Sequence, residues 1–451
     1  MPNVRVYRHQ YGVGQGCFHA QELSFGDETQ PRHIFRFVYD CGSSTSQESL
    51  KWSISHFEKG MGDKVVHAAY LSHFEDDHIN GFEALCKKVD VQRIYVPHID
   101  PKKVLHIVAQ QLSGGLFWPK EYEKFIANAL KVANGGTLFD VPVTMVTGGP
   151  PPEFDNEPRP SDNDPRTVDN AESGTYITNM PTDATVAHSR RTTVSAVKVA
   201  GNAAFHQIVW EVVPWFYGAD DALTAWIINL IAALPGYTVS LVPGLAPHAT
   251  PKQVQVAISW MKANYIAFAN AYDVAMAQHN KQRKLQGLYP FPKNHNVASL
   301  CVYSGPVKRN EIPKTYQTFP SVRHLSCRLC DLYHDLCSRE HAGAWIATGD
   351  ALLGVPEIWD EFEVHFSTSR LNCCSTVLVP HHGAGASSSN NFNKELIRAG
   401  QNCVISSGAR GSYRHPHRNV IQQILTKPAN LQLVTESQTM GFIEHLEISL
   451  D

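Results

Sequence analysis

Four side chains able to ligate a metal, His73, Glu75, Asp77 and His78, fall within six positions of the segment Leu71-Ser72-His73-Phe74-Glu75-Asp76-Asp77-His78. Imidazole nitrogens and carboxylate oxygens are the donors that divalent Zn²⁺ and Mn²⁺ accept. Two later segments carry the same chemistry. Trp345-Ile346-Ala347-Thr348-Gly349-Asp350 sets a carboxylate just after an apolar run, and Leu378-Val379-Pro380-His381-His382-Gly383 ends another run in two imidazoles. A third group, Cys327, Cys330, Cys337 and His341, has the spacing Cys-x2-Cys-x6-Cys-x3-His and could clasp a structural zinc. Buried thiols on one helix face would give similar spacing. Arg410, Arg414, His415, His417 and Arg418 gather within nine residues, the densest cationic cluster beside any of these donors, and such cations suit a phosphate.

These donors need elements to aim them. Lys64 to Leu71 has the composition of a short strand, and Ile79 to Leu85 can begin a helix, so the first four ligands are expected on a strand-to-helix loop. From Val4 to Phe139, strand-like runs (34–39, 65–71, 93–96) alternate with helical ones (47–57, 82–89, 120–132), the pattern of an α/β unit. Strand character returns at 297–303, 344–347, 376–379 and 403–406. Strand ends at one edge of such a fold can converge on a single cavity.

Between the two halves the pattern changes. Residues 149–186 hold seven prolines among many Asp, Asn and Thr, which predicts a long exposed loop. A helical block follows from about 220 to 286, in which Thr250-Pro251 caps a long helix carrying Val254, Ile258, Met261, Ile266 and Ala269 inward. The organisation predicted is thus 1–140 and 294–451 as halves of one α/β domain, split by an insertion over 141–293.

Composition narrows the function classes. A chain of 451 residues with 43% hydrophobic and 18% charged residues can bury a large core. Its formal net charge of −3 excludes the global basic field of a dedicated nucleic-acid binder. Met1 to Val6 has no signal-peptide character, so the ten cysteines are expected as reduced thiols in a cytoplasmic protein. Leu223 to Leu245 holds no charge, but Pro235 and Gly236 interrupt it, predicting a buried helix (222–234) and a strand rather than a membrane span.

Taken in order, seven segments resemble the metallo-β-lactamase-fold hydrolases, in particular the branch of bacterial competence-protein (ComEC/Rec2-type) hydrolase domains and phosphorylcholine esterases. They are Tyr11-Gly12-Val13-Gly14-Gln15-Gly16, Tyr39-Asp40-Cys41-Gly42, His73 to His78, Asn294 to Leu300, Thr348-Gly349-Asp350-Ala351, His381-His382-Gly383-Ala384 and His415-Pro416. The glycines at 12 to 16 are expected to form a structural turn rather than a phosphate cradle, since no helix follows them. The resemblance covers about 3–140 and 294–445.

It implies an αββα sandwich of two mixed sheets flanked by helices, here with a large, mainly helical insertion. It also implies two divalent ions, Zn or Mn: His73 and Glu75 on one, Asp77 and His78 on the other, Asp350 bridging, and His381 or His382 completing the set. Glu75 stands where that branch usually has Asp and many lactamase-fold enzymes have His, which enriches the site in oxygen donors that accept Mn²⁺ or Mg²⁺ more readily than a histidine-rich set does. Two such ions would acidify a bridging water, with Asp77 and His415 as the candidate catalytic residues.

The function so implied is a metal-dependent phosphodiesterase or nuclease acting on a phosphoester, nucleic acid or nucleotide, in nucleic-acid processing or bacterial antiviral defence. The competing expectation is a regulatory subunit with a structural or vestigial metal centre, binding a protein partner through 141–293.

Overall fold

The computed structural model describes residues 3–25, 33–113, 118, 122–147, 176–179, 186–188, 192–200, 203–218, 221–292, 299–306, 315–320, 343–388, 392–409, 415–437 and 441–449. Its centre is two mixed sheets. The first contains, in chain order, β1 (Asn3–Gln10), β2 (Phe18–Phe25), β3 (His33–Cys41), β5 (Ala68–Tyr70), β7 (Ile94–Pro97), β8 (Val143–Thr147), β10 (Val186–His188), β14 (Thr315–Pro320) and β19 (Phe442–Ser449). The second contains β9 (Tyr176–Asn179), β11 (Thr192–Ala200), β12 (Ala203–Phe216), β13 (Leu300–Pro306), β15 (Ala344–Ala347), β16 (Cys374–Leu378), β17 (Asn402–Ser406) and β18 (Asn430–Val434). A small ribbon pairs β4 (Val65–Val66) with β6 (Asp90–Val91).

Alternation along the strands builds the space between the sheets. Val4, Val6, Phe37, Tyr39 and Tyr70 of the first sheet share one apolar cluster with Trp210, Val302, Trp345 and Ala347 of the second. Trp345 is the hinge of this layer, with its ring 5.7 Å from Tyr39 and stacked at 4.2 Å on His19. A polar seam crosses the same layer. The Arg8 guanidinium donates to Glu444 at 2.7 Å, and Thr376 donates to the same carboxylate at 2.8 Å, so a buried charge reaches both sheets with its partners in place.

Helices cover the outer faces. Gln47–Gly60 (α1), capped by Ser46, buries Leu50, Ile54 and Phe57. After the short turns Asp76–Ile79 (α2) and Phe82–Cys86 (α3) come Pro101–Ser113 (α4) and Tyr122–Ala133 (α5). A later helical group, Asp221–Ala232 (α6), Val242–Leu245 (α7), Pro251–Ala263 (α8) and Tyr265–Leu285 (α9), joins the same layer: His106 of α4 bonds Thr224 of α6 at 2.8 Å, and Lys262 of α8 pairs with Glu123 of α5 at 2.7 Å.

Several sequence expectations are corrected. The stretch 141–293 supplies strands to both sheets (β8, β10 and β9, β11, β12) before its helices begin, so it is not a single block outside the sandwich. The expected 149–186 loop lies outside the described residues apart from 176–179 and 186. The expected strand after α6 is a helical turn, Tyr237–Leu241, running into α7. Thr250 does cap α8, through a capping box with Gln253, but the helix breaks at Asn264. That break shifts the helical phase, leaving Ile266 60% exposed rather than inward. Among the described residues no single helix is long and apolar enough to cross a membrane; α6 and Tyr237–Leu245 satisfy length and composition only as a pair bent by 109°.

Candidate metal centre

Parallel pairing decides where the donors meet. β3 runs parallel to β5, and β15, β16 and β17 run parallel to one another, so their carboxyl ends share one edge of the sandwich. Asp40 ends β3, the ligand segment follows β5, Asp350 follows β15, His381 and His382 follow β16, and Ser406 ends β17. The Ser72 carbonyl accepts from Leu300 N–H at 2.7 Å, which ties the two sheets together at that edge.

Locally the backbone is shaped for the purpose. Only His73 and Glu75 occupy a loop; Asp77 and His78 lie in α2, which begins earlier than the expected Ile79. Phe74 turns inward between them, its ring 6.4 Å from Phe125 of α5. The turn from Gly12 to Gly16 is structural, as expected: a Cβ on Gly16 would lie 2.7 Å from the Asp77 carbonyl oxygen, and one on Gly42 2.5 Å from the His78 nitrogen. Both glycines let the chain press against the backbone of the ligand segment. His381 (φ 49°) and His382 (φ 53°) both adopt the left-handed conformation, uncommon for residues with a Cβ. That backbone sends two adjacent imidazoles to different places.

The geometry at Asp350 is the heart of the site. Its Oδ2 lies 3.6 Å from His73 Nε2 and 3.4 Å from His381 Nε2, while its Oδ1 lies 3.5 Å from His78 Nε2 and 4.0 Å from His382 Nε2. Glu75 stands 3.8 Å from His73 Nε2, and Asp77 stands 3.3 Å from His382 Nε2. Asp350 Oδ2 therefore faces His73 and His381 and its Oδ1 faces His78 and His382, with Glu75 beside His73 and Asp77 beside His382. The sets His73, His78, Asp350 and Asp77, His78, His382 are each compact enough to hold a metal ion.

Surrounding hydrogen bonds turn the imidazoles toward this centre. His78 Nδ1 donates to Asp40 at 2.7 Å, and His382 Nδ1 donates to the Ser406 carbonyl at 2.8 Å. Since a carbonyl and a carboxylate only accept, both rings carry a proton on Nδ1 and turn Nε2 inward. Both Nε2 atoms are buried beside carboxylate oxygens, His78 3.5 Å from Asp350 and His382 3.3 Å from Asp77, a setting that suits a proton or a cation held between them. Asp40 also accepts from the Ser72 N–H at 2.6 Å and hydroxyl at 2.7 Å; Ser72 Oγ in turn accepts from His73 Nδ1 at 2.9 Å. Ser387 lies 3.2 Å from His381 Nδ1, and Ser299 holds the Asp350 N–H at 2.9 Å.

Electrostatics agree with this donor set. Burial alone would push the His78 and His382 imidazoles down, but neighbouring carboxylates outweigh it and raise both to about 9: Asp40, Asp77 and Asp350 for His78, Asp77 and Asp350 for His382. Burial likewise opposes ionisation of Asp77 and Asp350, yet the facing histidines hold both carboxyls below the usual range. The metal-free site is thus a lattice of carboxylates and imidazolium protons whose place a divalent cation can take.

His415 is partly buried at the rim, its ring 5.6 Å from His381 and 4.9 Å from His417. Burial and the neighbouring histidines lower it to about 4, so it is neutral near pH 7. Arg418 is exposed in the first turn of the helix Arg418–Leu425. Arg410, Arg414, Asn294 and the proposed zinc clasp Cys327, Cys330, Cys337 and His341 lie outside the described residues. Among the described residues seven cysteines are seen, with Cys373 and Cys374 buried. The sequence did not mark Asp40, Ser72 and Ser406 as orienting groups; a carboxylate at a strand end, two residues before a sterically required glycine, was the available signal for Asp40.

No curated protein matches the chain. Residues 35–160, which span Asp40 and the ligand segment 73–78, match the model of the metallo-beta-lactamase superfamily, and the chain accordingly carries a domain of that superfamily.

Proposed function

We propose that this protein is a metal-dependent phosphodiesterase or nuclease. The superfamily domain and the donor clusters indicate a metal-dependent hydrolase; the two-metal assignment and the phosphoester substrate are our reading. The observation that carries the first is the Asp350 carboxylate, whose two oxygens face two different pairs of imidazoles. In this reading His73, Glu75 and His381 hold one ion, Asp77, His78 and His382 the other, and Asp350 serves both.

Divalent ions held there acidify water and offset charge on a phosphoryl oxygen. The chain supplies the rest. Asp77, 17% exposed against 3% for Asp350, can accept a proton from an incoming nucleophile. Neutral His415, beside His381 at the rim, can hydrogen-bond the phosphoryl group or its leaving oxygen without bringing a charge that repels the ions. Arg418, with Arg410 and Arg414 nearby in sequence, adds cationic character where a polyanion would approach, which favours phosphoesters over neutral esters or lactams.

The purified protein with Mn²⁺ or Zn²⁺ is expected to hydrolyse bis(p-nitrophenyl) phosphate or a nucleic acid. Asp77→Ala and Asp350→Ala should each lower the rate by roughly 10²-fold or more, because metal-borne charge stabilisation is worth several kcal/mol. Stoichiometric metal without turnover on any phosphoester would instead favour the regulatory-subunit reading.

A further inference from the structure

We infer that the two halves of this centre grip their ions unequally: the group Asp77, His78 and His382 retains its ion, while the group His73, Glu75 and His381 exchanges its ion readily, with Glu75 as the gate. The inference rests on the two-ion reading above and goes beyond it, since that reading needs only that both ions bind.

Three observations carry it. The first is burial. The side chains of His78 and His382 are 2% and 3% exposed, whereas Glu75 is 31% and His381 25% exposed. His73 at 6% and Asp77 at 17% fall between these values, so water and chelators reach the half with Glu75 and His381 more readily than the other. The second is the nature of the orienting partners. His78 is fixed by the buried Asp40 carboxylate and His382 by a backbone carbonyl, groups that cannot rotate away. Their counterparts His73 and His381 rest on the hydroxyls of Ser72 and Ser387, the latter at 3.2 Å. A carboxylate partner also makes an imidazole a stronger donor, and such partners are typically worth about 10- to 100-fold in metal affinity.

The third observation is Glu75 itself. It precedes α2 as its N-cap residue without making a side-chain cap, so no hydrogen bond of that kind fixes the carboxylate. Its extra methylene compared with aspartate gives it more freedom to leave and return. Asp77 by contrast sits within the helical turn and faces His382. Glu75 thus belongs to the open half alone.

The test is metal retention, read without any substrate. Protein loaded with Mn²⁺ or Zn²⁺ is challenged with a chelator, and bound metal per chain is followed in time by elemental analysis. The expected result is two phases of about one ion each. Glu75→Gln should speed the early phase by roughly 10-fold and leave the late phase unchanged, with Glu75→Asp restoring much of the early retention. Asp40→Asn should speed the late phase. Asp77→Asn, checked for folding by circular dichroism, serves as the second variant for that phase. Loss of both ions in one phase, or acceleration of the late phase by Glu75→Gln, overturns the inference while leaving the two-ion reading intact. A chain that takes up no metal at all overturns both.

Discussion

At the scale of single residues, the site is defined less by its ligands than by what holds them. His78 and His382 have Nε2 aimed inward because Asp40 and the Ser406 carbonyl occupy their other nitrogens. This has a pH consequence. Both imidazoles are raised to about 9 from an ordinary value near 6.5, so without metal their protons stabilise the folded protein fully below about pH 6.5, and that stability is lost as pH rises through 9. A metal must displace these protons. Its apparent affinity is therefore expected to climb with pH toward 9, and binding at pH 7 should release protons into solution. Calorimetric titration in two buffers of different ionisation heat measures that release, which should disappear above pH 9. Four of the candidate ligands stood out in the sequence because six positions concentrate their chemistry; Asp40 was harder to read, since an isolated carboxylate gains its meaning only from the ring beside it. The choice between His381 and His382 was open for a similar reason. Adjacent residues ordinarily point apart, and only the left-handed backbone at both positions lets each reach a different oxygen of Asp350.

At the scale of elements, the ligand segment is clamped by turns distant in sequence. Gly42 ends β3 against the backbone of Asp77 and His78, and Cys17 N–H donates to the Asp77 carbonyl at 3.2 Å. Gly42→Ala would set a methyl group 2.5 Å from the His78 nitrogen, where only backbone movement can relieve the clash. Overpacking of this kind costs about 1–3 kcal/mol. We expect the variant to fold with a lowered melting temperature and to bind metal more weakly than the parent, measured by thermal unfolding and metal titration together. Unchanged metal affinity would mean that the glycine turns do not position α2. Strand and helix types were mostly readable from period and composition, as for β3, β15 and α1. The failures came where tertiary packing overrode local pattern: the break at Asn264 that exposes Ile266, and the helical turn at Tyr237–Leu241 in place of a strand.

At the scale of the whole molecule, two sheets meet along a core centred on Trp345, and their parallel strands deliver five segments to one edge. The α/β alternation made that sandwich legible. The contribution of residues 141–216 to both sheets was not: β8, β9 and β10 have 5, 4 and 3 residues and flank polar, proline-rich sequence with little periodicity, and the longer β11 and β12 were not anticipated. The centre joins residues from 40 to 406, so it can form only when both sheets are in place. Its proposed two-sided arrangement about Asp350 is best tested by diffraction from metal-loaded crystals at the Mn or Zn absorption edges. Two anomalous peaks are expected, one on each side of the Asp350 carboxylate, the first beside His73, Glu75 and His381 and the second beside Asp77, His78 and His382; a single peak, or peaks away from Asp350, would contradict the two-ion reading.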